Sequence, residues 1–387
     1  MDISDSIRYV GVDDLDIDLF ESQYVVPEGM SYNAYVILDE KIALMDTCDP
    51  RKGAEWWYNV QQLLQGRTPS YLVVHHMEPD HAGEVVRAME AYPTITLVTS
   101  AKAAAMLTQF FGDITFGDRI QTVKEGDTLS LGTHTLHFVE APMVHWPEVI
   151  VSYEDSEKVL FSADGFGKFG ALKHETDDWA CEARRYYFNI VGKYGAQVQR
   201  LLTKAKALDI RTICPLHGPV LTGDLTPYLS LYDTWSSYRA EKDGVFVACA
   251  SIHGGTLKAA EALTEMLEKR GVLVEMKDIT REDIHECVES AFEMSRTVFM
   301  AASYDGGVFT PMHNLLHLLE AKAWQNRTVA LVENGSWAPT AARTMRAMLE
   351  HMKNVTIVEP TVTIRSRMKS EDIVALEALA DSIAAAK

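Results

Sequence analysis

Clustered sulfur is missing from this chain. Its 387 residues include five cysteines, Cys48, Cys181, Cys214, Cys249 and Cys287, widely separated and without a Cys-x-x-Cys pair. That spacing argues against a sulfur-ligated zinc or iron site. An odd, dispersed count also argues against a disulfide scaffold and fits a reducing cytosol. Excess positive charge is missing too: 36 Lys+Arg stand against 55 Asp+Glu, a net charge of −19. A nucleic-acid binder or an anionic-membrane binder needs a basic face, so neither partner is expected; a basic or locally basic partner is permitted. No run approaches the roughly 18 apolar residues of a membrane span. The opening MDISDSIRYVGVDD is acidic and has no apolar stretch, so it does not read as a signal peptide. The expectation is a cytoplasmic protein. Low-complexity segments and convincing internal repeats are also lacking.

What is present is an ordinary globular composition, 47% hydrophobic and 24% charged, enough for a large core. At roughly 150 residues per domain the length suggests two or three domains. The first part is rich in short β segments. YNAYVIL (32–38) and 42–45 flank Asp39-Glu40-Lys41 as a hairpin. Further β runs are 70–74, 94–100, 134–140, 148–153, 158–163 and 211–216, with helical patterns near 83–92, 101–111 and 182–208. From about residue 245 the rhythm becomes strict. Strands at VFVACAS, 272–278, 297–303, 328–334 and 355–360 alternate with helices, the first carrying Leu257, Ala260, Leu263 and Leu267 on one face. Five β-then-α units predict a doubly wound parallel five-stranded sheet. A polar link at 238–244, ending in glycine, puts the boundary between domains 1–242 and 243–387.

The segment His75-His76-Met77-Glu78-Pro79-Asp80-His81-Ala82-Gly83 follows a buried strand and carries most of the chemistry. Four potential metal ligands, His76, Glu78, Asp80 and His81, crowd into it. In an extended segment alternate side chains point the same way, so His76, Glu78 and Asp80 can converge, with His81 coming round on the turn before Gly83. Gathering so many ionisable groups is costly unless cations compensate them. Three further candidates each follow an apolar strand: His145, Asp164 and His217. A lone histidine such as His145 or His217 is more often a core or surface residue than a ligand; the clustered segment is not so easily explained. Four imidazoles and three carboxylates exceed one tetrahedral ion and suit two ions sharing a carboxylate.

His-x-Glu-x-Asp-His, followed by His145, Asp164 and His217 in that order, resembles the metallo-β-lactamase fold in its flavodiiron protein form. MVHWPEVIVSYEDSEKVLFSADGFGKFGAL and ICPLHGP resemble that family around the ligands. The resemblance implies an N-terminal αββα sandwich with two non-haem iron ions. It assigns one iron to His76, Glu78 and His145, the other to Asp80, His81 and His217, and makes Asp164 the bridge. Zinc hydrolases of this fold usually carry histidine where this chain has Glu78. Hard oxygen ligands favour iron or manganese more than an imidazole-rich set does. Tyr194, in the 186–199 stretch, matches a family tyrosine that points into the diiron pocket, where its phenol could donate a hydrogen bond. His75 is expected to point away, as a supporting or surface residue, and His174 has no assigned role.

In the C-terminal half the first strand ends in Ser251-Ile252-His253-Gly254-Gly255-Thr256 and a helix follows. Hydroxyls at both ends and a double glycine suit a phosphate cradle at a helix N-terminus. The motif resembles the phosphate loop of flavodoxins, which implies FMN as the second cofactor. Ligands in such sheets bind at the C-terminal strand ends. Two more loops are therefore expected in the pocket: Ser303-Tyr304-Asp305-Gly306-Gly307 and Asn334-Gly335-Ser336-Trp337. Tyr304 and Trp337 offer aromatic surface for a flavin ring. The chain departs from the family where many members have Pro-Thr-x-Asn-Asn in place of Tyr-Asp-Gly-Gly, and where His253 replaces an aromatic residue.

The resemblance covers nearly the whole chain and implies a reductase of O2 to water, of NO to N2O, or of both. Two Fe(II) and FMNH2 hold together the four electrons that O2 requires. It also implies a head-to-tail homodimer or a dimer of dimers. The chain carries no rubredoxin module of its own, so the electron donor is expected to be separate, such as rubredoxin, a reduced deazaflavin or a flavin reductase. Two alternatives stand beside this reading: a zinc hydrolase fused to a flavodoxin-like domain, and a non-enzymatic flavin carrier. Glu78 argues against the first and the complete ligand set against the second.

Overall fold

The computed structural model describes residues 3–114, 116–175 and 178–386. The chain forms two compact units, 1–187 with 196–232, and 188–195 with 233–387. The strand that begins at the expected boundary is Lys242–Ala250, in the second unit.

The first unit holds two six-stranded sheets. One runs Ile7–Tyr9, Tyr35–Ile37, Ala43–Met45, Tyr71–Val73, Thr96–Ser100, Ile120–Val123; the other runs Thr128–Ser130, Thr135–Glu140, Ile150–Glu154, Val159–Phe161, Thr212–Cys214, Leu221–Thr222. Alternate inward side chains of both sheets share one core, with Tyr35, Met45, Val73 and Val98 from the first against Phe138, Ile150, Phe161 and Cys214 from the second. Helices such as Gly53–Leu64, which buries Trp56, Val60 and Leu64, complete an αββα sandwich. The expected hairpin exists, with Tyr35 opposite Met45, but its first run divides. Met30–Tyr32 leaves to pair with Val12–Asp14. The helix expected near 182–208 is also broken, into Trp179–Tyr186, a π turn at Tyr187–Val191, a 3-10 turn at Gly192–Tyr194 and Gly195–Ala205. Two glycines and β-branched residues weaken its middle.

The second unit has the parallel strand order Leu273–Asp278, Lys242–Ala250, Met294–Tyr304, Arg327–Asn334, Val355–Ile357. Numbered along the chain that is 2-1-3-4-5, a doubly wound order with its crevice where the winding reverses. Two details refine the five-strand expectation. The fifth position is split, because Val362–Ile364 also pairs with Arg327–Asn334. A short return, Gly307–Val308, folds back on Met294–Tyr304. Asp305 and Gly306 both have positive φ (48° and 70°), the tight hairpin geometry that an Asp-Gly pair favours.

Candidate metal centre and flavin loops

Three of the seven metal-ligand candidates share one placement rule. His76, Asp164 and His217 each lie three residues past the last strand residue, Val73, Phe161 and Cys214. Phe161 and Cys214 are register partners in a parallel pair, so Asp164 and His217 emerge side by side. The local turns are fixed by hydrogen bonds. Ser162 Oγ donates to the Gly165 carbonyl at 2.6 Å, and Asn33 Nδ2 donates to the carbonyls of Pro215 (2.9 Å) and Gly218 (2.7 Å). Gly218 has φ +77°, and a Cβ there would sit 2.5 Å from the Lys168 Cγ, so this turn requires glycine.

The extended reading of 76–80 holds only to Glu78. Pro79 starts a short helix, Pro79–Ala82, with Glu78 as its cap. The helix turns Asp80 away from His76 and Glu78 and sends it, with His81, to a second group. The seven candidates therefore come together as His76, Glu78, His145 and Asp164, and as Asp80, His81 and His217. In the first group Glu78 Oε2 lies 3.1 Å from His76 Nε2 and 3.0 Å from His145 Nε2, and Asp164 Oδ2 lies 3.3 Å from both. In the second, Asp80 Oδ2 lies 3.2 Å from His81 Nε2 and 3.3 Å from His217 Nε2, and the two Nε2 atoms are 3.1 Å apart. Asp164 Oδ1 reaches this group, at 3.2 Å from His81 and 3.6 Å from His217. Asp164 thus presents one oxygen to each group. Donor separations of this size are the edges of a coordination shell with bonds of about 2.1 Å.

The electrostatics call for cations. Both oxygens of Asp80 and of Asp164 are buried without a hydrogen-bond partner, as is His81 Nδ1. Orphaned buried carboxylate oxygens facing imidazole nitrogens fit metal ligation. Burial alone would raise the Asp164 carboxyl, but His76, His145 and His81 hold it well below the usual carboxylate range. Burial would lower His145, yet Asp164 and Glu78 push it up to about 9. His76 is raised well above its ordinary value by Asp164, Glu148 and Glu78 against the same burial. The site draws in positive charge, as protons where no metal is bound.

The outer atoms fix the tautomers. The His217 Nδ1 lies 2.7 Å from the Ser31 carbonyl, which can only accept, so Nε2 presents its lone pair to the cluster. His76 Nδ1 lies 2.7 Å from Glu148 Oε1, which also accepts from the Met77 N–H at 3.0 Å. His75 points away as expected but is fully buried rather than on the surface: it bonds to Asp46 (2.5 Å) and receives the Ser152 hydroxyl (2.8 Å). His174 is exposed, at the end of the turn Leu172–His174.

Sequence reasoning missed Glu148, whose signal was a carboxylate entering an apolar strand. It also missed the rings around the site. Trp146 meets His76 edge-on at 5.0 Å, and Phe20 and Tyr186 approach His217 at 5.4 and 5.6 Å. Burial first, then Asp164, Asp80 and Glu78, push the Tyr186 phenol well above its ordinary value, so it keeps its proton. Tyr194 ends the 3-10 turn in the segment that belongs to the second unit, half-buried. Glu21 follows Phe20 at the turn of the ribbon Leu19–Phe20/Tyr24–Val25, with φ 48°.

In the second unit, Gly254 has φ +80° and helix Gly255–Glu268 starts directly after it. Ser251 Oγ is buried without a partner, and Thr256 is buried at the other end of the loop. Together these are suited to an anion at the strand end. Asn334 exchanges two hydrogen bonds with the backbone of Ser366, both 2.9 Å, and Ser336 Oγ lies 2.6 Å from Ser366 Oγ. Ser303 instead accepts from the N–H groups of Thr340 (2.8 Å) and Ala341 (3.1 Å), at the start of helix Ala341–Leu349. Tyr304, Trp337 and His253 are exposed, Trp337 to 89%.

Residues 30–218 match the model of the ODP family beta lactamase. A nitric oxide reductase from Moorella thermoacetica is 28% identical over 99% of this chain and 98% of its own. The structure of rubredoxin oxygen:oxidoreductase from Desulfovibrio gigas superposes with a TM-score of 0.93 at 25% identity, covering 99% of this chain and 97% of that one. The chain belongs to the flavodiiron protein family. A putative diflavin flavoprotein from Synechocystis is 29% identical over 83% of this chain, which spans just over half of that relative, 56%. The flavodiiron protein of Giardia intestinalis shares the fold, with a TM-score of 0.91 at 22% identity over 99% of this chain and 95% of that one. Among the described residues no helix is long and apolar enough to cross a membrane.

Proposed function

We propose that this chain is a flavodiiron oxidoreductase that reduces O2 to water, NO to N2O, or both. The observation that carries the reading is the Asp164 carboxylate, buried, without a hydrogen-bond partner, and facing a histidine–carboxylate set on each side. Two iron ions and FMN, when bound, supply and relay the electrons of the reaction. The irons would be held by His76, Glu78 and His145, by Asp80, His81 and His217, and by Asp164 between them. FMN would lie at Ser251, His253, Gly254, Gly255 and Thr256, beside Ser303, Tyr304, Asp305, Gly306, Gly307, Asn334, Gly335, Ser336 and Trp337.

The protein's own groups prepare this site. Glu148 and the Ser31 carbonyl hold His76 and His217 in the ligating tautomer. Trp146, Phe20 and Tyr186 wall the cluster with rings and exclude bulk water. Tyr186 keeps its phenolic proton and can donate a hydrogen bond. The family resemblance gives Tyr194 the same donor role. Domains 1–242 and 243–387 would each serve one cofactor. The reading includes a cytoplasmic head-to-tail homodimer, or a dimer of dimers, and a separate donor such as rubredoxin or a flavin reductase.

The test is anaerobic purification, then iron and FMN quantitation, then turnover with O2 and with NO from one artificial donor. Two irons and one FMN per chain, with uptake of at least one gas, are expected. A protein that holds zinc and hydrolyses esters or lactams, or that consumes neither gas, would overturn the proposal.

A further inference from the structure

Helix Thr310–Ala321 follows the third strand of the second sheet, and packing fixes its inner face. Met312, Leu315, Leu316 and Leu319 are buried, at the spacing of one helical face. That register decides what the outer side shows. His313, His317 and Glu320 are all exposed. At 3.6 residues per turn they stand within about 60° of one another, as a single stripe. An outer face needs only polarity, and Lys, Gln, Glu or Arg would favour the helix more than histidine does. Histidine at both positions is therefore not the choice of helix stability alone. None of the three side chains is engaged: among the described residues they make no side-chain hydrogen bond or ion pair.

The spacing is that of a chelate. Residues i and i+4 on a helix have Cβ atoms about 5–6 Å apart, and two imidazoles so placed can reach one ion. Glu320 follows His317 at i+3 and can add a carboxylate oxygen to the same ion. The three are not gathered at rest: among the described residues, only the two groups of the metal centre hold three or more ligand atoms together. Exposed side chains without partners can turn between staggered rotamers, and that rotation closes the site. No residue of the stripe belongs to the metal centre or to the flavin loops.

We propose that His313 and His317, with Glu320, form a surface site for one divalent transition ion of the kind imidazole prefers: Ni2+, Cu2+ or Zn2+. The site goes beyond the oxidoreductase reading and does not rest on it. Ligand chemistry selects the class of ion. Ca2+ and Mg2+ take oxygen ligands and match two imidazoles poorly. Fe2+ stands below Ni2+ and Cu2+ in the usual order of affinity, so this site does not draw iron from the oxygen-richer metal centre. The net charge of −19 adds a general attraction for cations. A bound ion would tie two successive turns together and stabilise the folded second unit, because only the helix brings both rings to it.

The test uses holoenzyme, with Ni2+ as the calorimetric probe and Cu2+ as the probe for electron paramagnetic resonance. The wild type should take up one ion per chain beyond its iron, with iron and FMN contents unchanged. The Cu2+ spectrum should show coupling to two imidazole nitrogens. His313→Gln and His317→Gln should each weaken uptake about tenfold or more, because the second imidazole acts at high effective concentration. Glu320→Gln should weaken it less. The double variant Asn314→His/His317→Gln keeps two histidines but sets them at i,i+1, where they do not face each other. It should bind no better than His317→Gln. Acidification to about pH 5 should release the ion, since imidazole ligates only without its proton. Without added metal all the variants should melt with the wild type, and Ni2+ should raise the wild-type melting temperature more than that of either single-histidine variant. Unchanged affinity in those two variants would overturn the proposal, as would wild-type affinity in the i,i+1 variant or coupling to a single nitrogen. A wild type that takes up no extra ion at millimolar Ni2+ would overturn it outright.

Discussion

Glu148 holds His76 by its far nitrogen. One carboxylate oxygen accepts from the imidazole Nδ1 at 2.7 Å and from the next backbone N–H, that of Met77, at 3.0 Å. The side chain has no solvent exposure. It therefore fixes both the ring and the backbone at the point where the chain leaves its strand. Glu148→Ala should weaken metal binding at the His76 group by about 10–100-fold and leave the His217 group close to native. Metal titration with two resolved affinities checks this; two unchanged affinities would remove the role.

Metal uptake should be paid in protons. His145, pushed up to about 9 by Asp164 and Glu78 against its burial, is protonated at neutral pH in the metal-free protein, and His76 and His81 are raised as well. A cation must displace those protons. Apparent affinity should rise with pH through the neutral range, by about tenfold per pH unit for each proton displaced. Calorimetry in two buffers of different ionisation heat should show net proton release at pH 7; a pH-independent affinity between 6 and 8 would contradict it.

Glu21 gives the metal-free protein an acid-side preference. Desolvation first, then Glu78 and Asp80, push its carboxyl up to about 7, with His145 and Gln23 opposing. A raised acid favours the folded state fully below its ordinary value of 4.5, and that contribution is lost as pH rises through about 7. Glu21→Gln should leave the melting temperature of metal-free protein unchanged near pH 4 and raise it at pH 8. Parallel melting curves at both pH values would count against this placement of Glu21.

Arg296 closes the last helix. Its Nη1 donates to the carbonyls of Ile383 (3.3 Å), Ala384 (2.9 Å) and Ala386 (3.4 Å), while Nη2 meets Asp243 at 2.6 Å. Helix Ser370–Ala385 otherwise leaves these carbonyls without partners at its end. Arg296→Ala should cost about 1–3 kcal/mol and expose the C-terminal helix to limited proteolysis. An unchanged cleavage pattern would show that packing alone holds it.

The parts legible in the sequence were those with a strong local signal. Five strand–helix alternations, with residues such as Leu263 and Leu267 buried on one helical face, fixed the second sheet. Ligand types crowded behind a buried strand marked the metal site, and all seven candidates converge. What could not be read was decided by tertiary partners. Met30–Tyr32 left its hairpin because another ribbon took it, and the helix through 187–194 broke at a stretch that glycines and β-branched residues weaken but do not by themselves interrupt. Asp80 departs from the alternation of His76 and Glu78 because Pro79 starts a helix directly after Glu78, and it lies in the group the family resemblance gave it. Glu148 and Tyr186 lie far from the motif in sequence and reach it only through the fold.

Each metal group draws on both sheets of the sandwich: His76, Glu78, Asp80 and His81 leave the first, and His145, Asp164 and His217 leave the second. Two bound ions would therefore be cross-links, joining segments as far apart as 76 and 217. A chain whose five cysteines are all free gains from metal the kind of long-range staple that other proteins take from disulfides. Such staples are reversible and follow supply. In an iron-starved cell the sandwich would loosen at one rim, and the lifetime of this protein would become a readout of iron.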